Sequence, residues 1–293
     1  MPNPLTSIIV TVLNREKDID KLIKSLINQT YTHKEIIIID NGSTDNSISI
    51  ISKYLDNIIF IDAKDKKGSP YSARNLGIKK STGELIAFVD GIPNKNWLKN
   101  IIDFLIKNEV DMVSGKVYFY NSEKSIYTLY DSIFSIDTKY IVNRFKAAPT
   151  ANLILNKKIF SEIGLFQEDL RSGGDILLTT LATNRGYNIM YCDSAISYYH
   201  SRNKEELIKK QVRIAKGQIN IWQKQNRNIH IEIIKNLLKL IIPENPFSFF
   251  RRLKDNNKKL SFSKKIELYL IRTKIEKIRI LNCIKLSYYV IKK

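Results

Sequence analysis

The sequence predicts an α/β fold built on a mostly parallel sheet flanked by helices, followed by a basic helical extension. Two patterns carry that expectation. Apolar, β-branched runs alternate with stretches of helical spacing over residues 1–200, which implies parallel strands covered on both faces. The charge then changes: residues 1–200 hold 24 basic against 22 acidic side chains, or +2, whereas residues 201–293 hold 24 against 7, or +17. Nearly all of the formal +19 therefore belongs to the tail, where it describes a partner and not a fold.

The elements follow in order. Residues 7–13, Ser-Ile-Ile-Val-Thr-Val-Leu, read as a buried strand, and Ile19, Leu22, Ile23 and Leu26 then recur at helical spacing. A second strand over residues 35–40 ends in the turn Asn41-Gly42-Ser43, and Asp45 can cap a helix through about residue 54. Residues 58–61 form a third strand, residues 64–70 a polar loop, residues 71–80 a helix ended before Gly83, and residues 85–89 a fourth strand closing at Asp90. Residues 97–108 are helical and residues 111–118 extended. A strand over 150–155 precedes helices over 157–163 and 175–184, and residues 188–192 and 195–200 predict two closing strands. In the tail, Ile231, Ile234, Leu237, Leu238 and Ile241 share a helical stripe that Pro243 and Pro246 should stop, and a last helix runs from about residue 263. The expected domains are residues 1–215 and a basic amphipathic extension over residues 216–293.

A chain of 293 residues can bury an ordinary core without staples, and two cysteines, Cys192 and Cys283, exclude a disulfide framework and fit a reducing compartment. The first residues carry no signal-peptide pattern and no window reaches the length of a membrane span, so a cytoplasmic protein is expected.

Open parallel sheets collect ligands at the carboxyl ends of their strands, where helix N-termini expose backbone N–H groups. Leu13-Asn14-Arg15, Asp40-Asn41-Gly42 and Asp90 all fall at such ends. Asp40 can accept hydrogen bonds from a base or a ribose, or it can cap the turn that follows it. Arg74 and Asn75, early in a helix after Gly68-Ser69-Pro70, suit phosphate oxygens, although taken alone the arginine reads first as a surface ion pair. Asp175, before a helix, reads from its position as an N-cap.

Four blocks then resemble the family 2 glycosyltransferases, nucleotide-sugar enzymes of the GT-A fold. They are Ile-Ile-Val-Thr-Val-Leu-Asn-Arg-Glu (8–16), Ile-Ile-Asp-Asn-Gly-Ser-Thr-Asp (38–45), Ala-Arg-Asn-Leu-Gly-Ile (73–78) and Ser-Gly-Gly-Asp-Ile (172–176). They occur in the family's order and cover about residues 5–215. The resemblance implies an inverting transferase moving a sugar from a nucleotide-diphosphate donor to a carbohydrate or lipid-linked hydroxyl. It places Asp175 as the base, Asp40 at the nucleobase, Thr11, Leu13 and Arg15 around it, and Arg74 near the ribose or diphosphate.

The match departs at the metal site. Where the family shows Asp-x-Asp, this chain reads Asp90-Gly91-Ile92, so one carboxylate remains. By resemblance Asp90 contacts the donor through a cation, and His200 is the other candidate ligand. Three readings follow in order: Mg²⁺ or Mn²⁺ held weakly by Asp90, His200 and substrate phosphates; catalysis by Arg or Lys without metal; and an inactive nucleotide-sugar-binding scaffold at a membrane surface.

The tail suits an anionic membrane surface, with Phe247, Phe249 and Phe250 before Arg251-Arg252 as an interfacial wedge, or a cap on the catalytic domain. Together with the resemblance it predicts a peripheral enzyme of cell-envelope polysaccharide assembly on the inner face of the membrane. Nucleic acid is disfavoured because no zinc spacing, aromatic RNA-binding motif or recognition-helix motif is present. A dinucleotide-dependent dehydrogenase is disfavoured because Leu13-Asn14-Arg15-Glu16 replaces the glycine fingerprint.

Overall fold

The computed structural model describes residues 3–64, 69–120, 124–241, 245–255 and 260–291, with side chains outside 241, 254–255 and 289–291. Gly68 and Pro243 lie outside the described residues. The chain divides into two compact units, one of residues 1–118 and 137–199, the other of residues 119–136 and 200–293.

The first unit holds a mixed sheet in the order β3-β2-β1-β4-β7-β6-β8-β5. Its parallel part comprises β1 (Thr6–Val12), β2 (Lys34–Asp40), β3 (Ile59–Asp62) and β4 (Leu85–Val89). The remainder, β5 (Ile92–Pro93), β6 (Met112–Tyr120), β7 (Asn152–Asn156) and β8 (Ile189–His200), includes antiparallel β4–β7, β6–β7 and β5–β8 pairs.

Period-two alternation decides which helix covers which face. Ile8, Val10 and Val12 of β1 share one cluster with Ile19, Leu22, Ile23 and Leu26 of α1 (Ile19–Ile27) and with Trp97, Leu98, Ile101 and Ile102 of α4 (Trp97–Lys107). Each such fully buried aliphatic side chain contributes about 1.5–3 kcal/mol. The intervening Ile9 and Ile39 meet α3 (Pro70–Lys80) at Gly77, where a Cβ would stand 2.7 Å from Ile9 and 2.9 Å from Ile39. The short α2 (Ser47–Ile51) runs into a 3-10 turn over Ser52–Tyr54.

Several expectations are corrected. The two closing strands are one 12-residue strand, β8, because the exposed Asp193-Ser194 step stays extended. Residues 119–149 contain α5 (Ile126–Phe134) and α6 (Thr138–Phe145), which the sequence reading did not find. Both are rich in aromatic and β-branched residues of modest helix propensity, and both start at side-chain caps: Ser125 accepts from the Thr128 amide, and Asp137 from the Tyr140 amide. The unit is completed by α7 (Lys158–Ile163) and α8 (Gly174–Asn184).

The second unit gathers α5 with α9 (Lys204–Lys224), α10 (Ile229–Ile241), α11 (Pro246–Asp255) and α12 (Phe262–Ile291). Residue 215, the expected boundary, falls inside α9. Pro246 starts α11 and does not stop a helix, as suits a residue without an N–H in a first helical turn. The core holds Leu129, Tyr130, Ile133, Leu207, Phe249, Leu253, Leu268 and Ile275. The expected aromatic wedge is therefore divided: Phe249 is fully buried and stacks on Phe134 at 5.2 Å, Phe250 is part-buried, and Phe247 faces solvent. Arg252 is buried over the Phe134 ring at 5.0 Å. Among the described residues, no helix is long and apolar enough to cross a membrane.

Candidate active site

The loops after β1 and β2 are sewn together at the carboxyl rim of the sheet. The Asn14 amide donates to Ser43 Oγ (2.9 Å) and the Thr44 amide to Asn14 Oδ1 (2.8 Å). The Arg15 amide donates to Ser47 Oγ (2.7 Å) and the Glu16 amide to Asp45 Oδ2 (3.0 Å). Asn14 takes a left-handed φ of 53°, which asparagine tolerates better than most residues.

Asp40 is fully buried beneath this lacing. Its Oδ2 accepts from the amides of Gly42 (2.9 Å) and Ser43 (2.8 Å), and its Oδ1 from Ser43 Oγ (2.5 Å). In this geometry the carboxylate holds the turn, the alternative that its position also allowed. At the lip, Leu13 is 53% exposed and Thr11 is part-buried. Next to Asp40 stands a residue to which the sequence reading gave no role: Asn41, whose Oδ1 is buried with no hydrogen-bond partner among the described residues.

A second line of polar contacts runs across the rim. Arg15 forms a two-point ion pair with Asp18 (3.0 and 2.5 Å) and donates to the Asp90 carbonyl at 2.7 Å. Arg74 Nη2 reaches Asp90 Oδ1 at 3.2 Å, and its guanidinium lies 5.6 Å from the centre of the Tyr71 ring. Tyr71 donates to Asp175 Oδ1 at 3.1 Å and accepts from the Gly174 amide at 2.9 Å. The Thr150 and Ile176 amides complete the Asp175 setting at 3.1 and 3.0 Å. Asn75, by contrast, clasps the Phe166 backbone at 2.8 and 3.0 Å and is buried, so it does not offer its amide to a phosphate.

The electrostatics follow from burial. Desolvation opposes charge on Arg74, but Asp90 first and then Tyr71 and Asp175 outweigh it and hold the guanidinium protonated more firmly than usual. Burial, and then the Asp175 charge, push the Tyr71 phenol above its ordinary range, so it remains a donor.

Tyr71 and Thr150 open a predicted helix and strand, and the sequence reading gives neither a role in the site. The available signal was the glycine pair before Asp175: Gly173 has φ 81°, and a Cβ on Gly174 would stand 2.9 Å from the Tyr71 ring.

The cation question turns on the donor set. Ile92 stands where a second carboxylate was expected; it packs against the core and pairs with Tyr198 in the short β5. His200 belongs to the second unit, where its ring lies edge-on to Tyr120 at 3.9 Å. Among the described residues, no three of His, Cys, Asp and Glu form a metal cluster. Charge argues the other way. Arg15 and Arg74 are each paired with a carboxylate, and Asp40 and Asp175 add two more, so the rim has no cationic side chain among these six left to offset a diphosphate. Asp90, its side chain 37% exposed, fits a cation brought largely by substrate phosphates.

A mixed sheet whose carboxyl rim carries these loops is the GT-A architecture of nucleotide-diphospho-sugar transferases. The solved mannosyltransferase PcManGT of Pyrobaculum calidifontis, in complex with GDP-Man and Mn²⁺, shares the fold: TM-score 0.62, 16% identity, 97% of this chain and 87% of that one covered. The model of Glycosyl transferase family 2 matches residues 7–173, and the chain belongs to that family and is a glycosyltransferase. It is 34% identical over 227 residues to glycosyltransferase AglE of Haloferax volcanii, covering 75% of this chain and 74% of AglE. It is 27% identical over 212 residues to the poly(ribitol-phosphate) beta-N-acetylglucosaminyltransferase TarS of Staphylococcus aureus, covering 68% of this chain and only 36% of TarS.

Proposed function

We propose that the enzyme moves a sugar from a nucleotide-diphosphate donor to a hydroxyl of a carbohydrate or lipid-linked acceptor, with inversion at the anomeric carbon. The observation that carries this reading is the linked set Asp175, Tyr71, Arg74 and Asp90 at one rim of the sheet. Asp175 takes the acceptor proton while the acceptor oxygen bonds to the anomeric carbon. The bond from that carbon to the diphosphate oxygen breaks, and the nucleoside diphosphate leaves with the electron pair. One displacement gives one inversion.

Donor binding falls to the lip. Leu13 and Thr11 offer contact to the nucleobase, and the unpaired Asn41 Oδ1 offers an acceptor for a base N–H, while Asp40 sets the shape of the turn beneath. Arg15 holds Asp90 through its carbonyl, and Arg74 faces the ribose or diphosphate. A divalent cation, Mg²⁺ or Mn²⁺, would be held by Asp90 and the donor's phosphates and would neutralise charge on the leaving diphosphate. A lipid-linked acceptor would place the enzyme on the cytoplasmic face of the cell membrane.

The test is release of nucleoside diphosphate from UDP-, GDP- and dTDP-sugars with Mn²⁺, with product configuration read by NMR. Inverted product from the wild type and none from folded Asp175→Asn is the expected outcome. Full activity in that variant, or retained configuration, overturns the assignment.

A further inference from the structure

Helix α10 presents an apolar arc outward. Ile231, Ile234, Leu237 and Leu238 are 49, 57, 44 and 53% exposed, whereas Glu232 and Asn236 are each only 8% exposed. At 3.6 residues per turn the four aliphatic side chains share an arc of about 120°. Lys235 and Lys239, both exposed, border it. The inward polar groups have partners: Glu232 accepts from Lys235 at 2.9 Å and lies 3.7 Å from Arg227, and Asn236 Nδ2 donates to the Glu232 carbonyl at 2.8 Å. Half-buried Ile229, Ile233 and Leu240 share the inward side with these groups, and the arc of four aliphatic side chains is left facing water.

Charge selects the occupant. Residues 201–293 carry +17, so a second copy would bring a like-charged surface against this one. A nucleic acid would answer the charge but not the four aliphatic side chains. An anionic bilayer answers both, with headgroups for the lysines and an acyl boundary for the arc.

We propose that the outer face of α10 docks the enzyme on an anionic lipid surface, with Ile231, Ile234, Leu237 and Leu238 inserted at the acyl boundary and Lys235 and Lys239 at headgroup level. The proposal stands apart from the transfer reaction, since lipid binding and turnover are read separately.

The full chain is floated with vesicles of phosphatidylcholine alone and of phosphatidylcholine with phosphatidylglycerol. The wild type is expected to float with the mixed vesicles only. The double variant Ile234→Ser, Leu238→Ser, altered at exposed positions, should lose about tenfold or more in partitioning, with unchanged circular dichroism, melting and turnover on a soluble acceptor. Equal flotation of variant and wild type overturns the proposal, as does wild type that stays with the soluble fraction. Light scattering that shows a dimer dissociated by the same substitutions, without vesicle binding, reassigns the face to self-association; capture by an oligonucleotide and not by vesicles reassigns it to nucleic acid.

Discussion

The Asp175 carboxylate is fixed from three sides by the Thr150 and Ile176 amides and the Tyr71 hydroxyl, which suits a base that must meet one acceptor oxygen. Replacing it by asparagine removes the proposed proton acceptor and turns an N–H group toward the Thr150 amide, so turnover should fall by about 10²–10⁴ in a steady-state assay and stability by about 1–3 kcal/mol. Tyr71→Phe keeps the ring but leaves the buried Gly174 amide without its acceptor, at a cost of about 1–3 kcal/mol by denaturant titration. The same variant has a pH signature. Burial, then Asp175, raise the Tyr71 pKa in the folded state, so the neutral phenol's contribution is intact below the unfolded value of about 10 and is lost as pH rises above it. Melts compared across that value should show the wild type losing more stability than Tyr71→Phe. Asn41→Ala removes a buried acceptor that has no partner among the described residues, so donor affinity should drop severalfold by calorimetry with stability unchanged or improved.

At the scale of elements, α3 joins packing to chemistry. Its cap Ser69 and first-turn Pro70 start the helix, Gly77 lets it lie on β1 and β2, and Tyr71 and Arg74 reach the rim from the same short segment. Gly77→Ala drives a Cβ against Ile9 and Ile39 and should cost about 1–3 kcal/mol in thermal unfolding. In the second unit, Lys210 of α9 donates to the Ser135 carbonyl after α5 at 3.3 Å. Burial, and then Arg202 and Arg213 against the opposing pull of Asp131, push its ammonium down to about 7. The folded state thus disfavours the charged form: the penalty is complete below about pH 7 and is relieved as pH rises toward the unfolded value near 10.4. Lys210→Met should remove that rise, seen as a flatter dependence of melting temperature on pH over this window.

For the whole molecule, the charge balance at the rim predicts dependence on a divalent cation held weakly. EDTA should lower turnover about tenfold or more, and Mn²⁺ should restore it, if the proposed ion is held by one carboxylate and the donor's phosphates. Undiminished turnover in EDTA would return the neutralising role to Arg74. The two units divide the labour by charge as well as by fold: the sheet unit lies in the near-neutral part of the sequence, whereas the helical unit contains almost all of the excess positive charge.

Hydrophobic periodicity and motif spacing sufficed for the parallel strands β1 to β4, for the helices that cover them, and for the rim positions of Asp40, Arg74, Asp90 and Asp175, because both signals are local in the chain. The excess charge of the tail was legible in the same way. Tertiary structure alone decided that both Asp40 oxygens turn inward to their own loop, that Tyr71 meets Asp175 across 104 positions of sequence, and that Ile92 packs against the core at the degenerate metal motif. It also decided which stripe of α10 faces water. A pattern of residue types fixes which side chains share a face. Which atom of each finds which partner depends on segments that become neighbours only when the chain is folded.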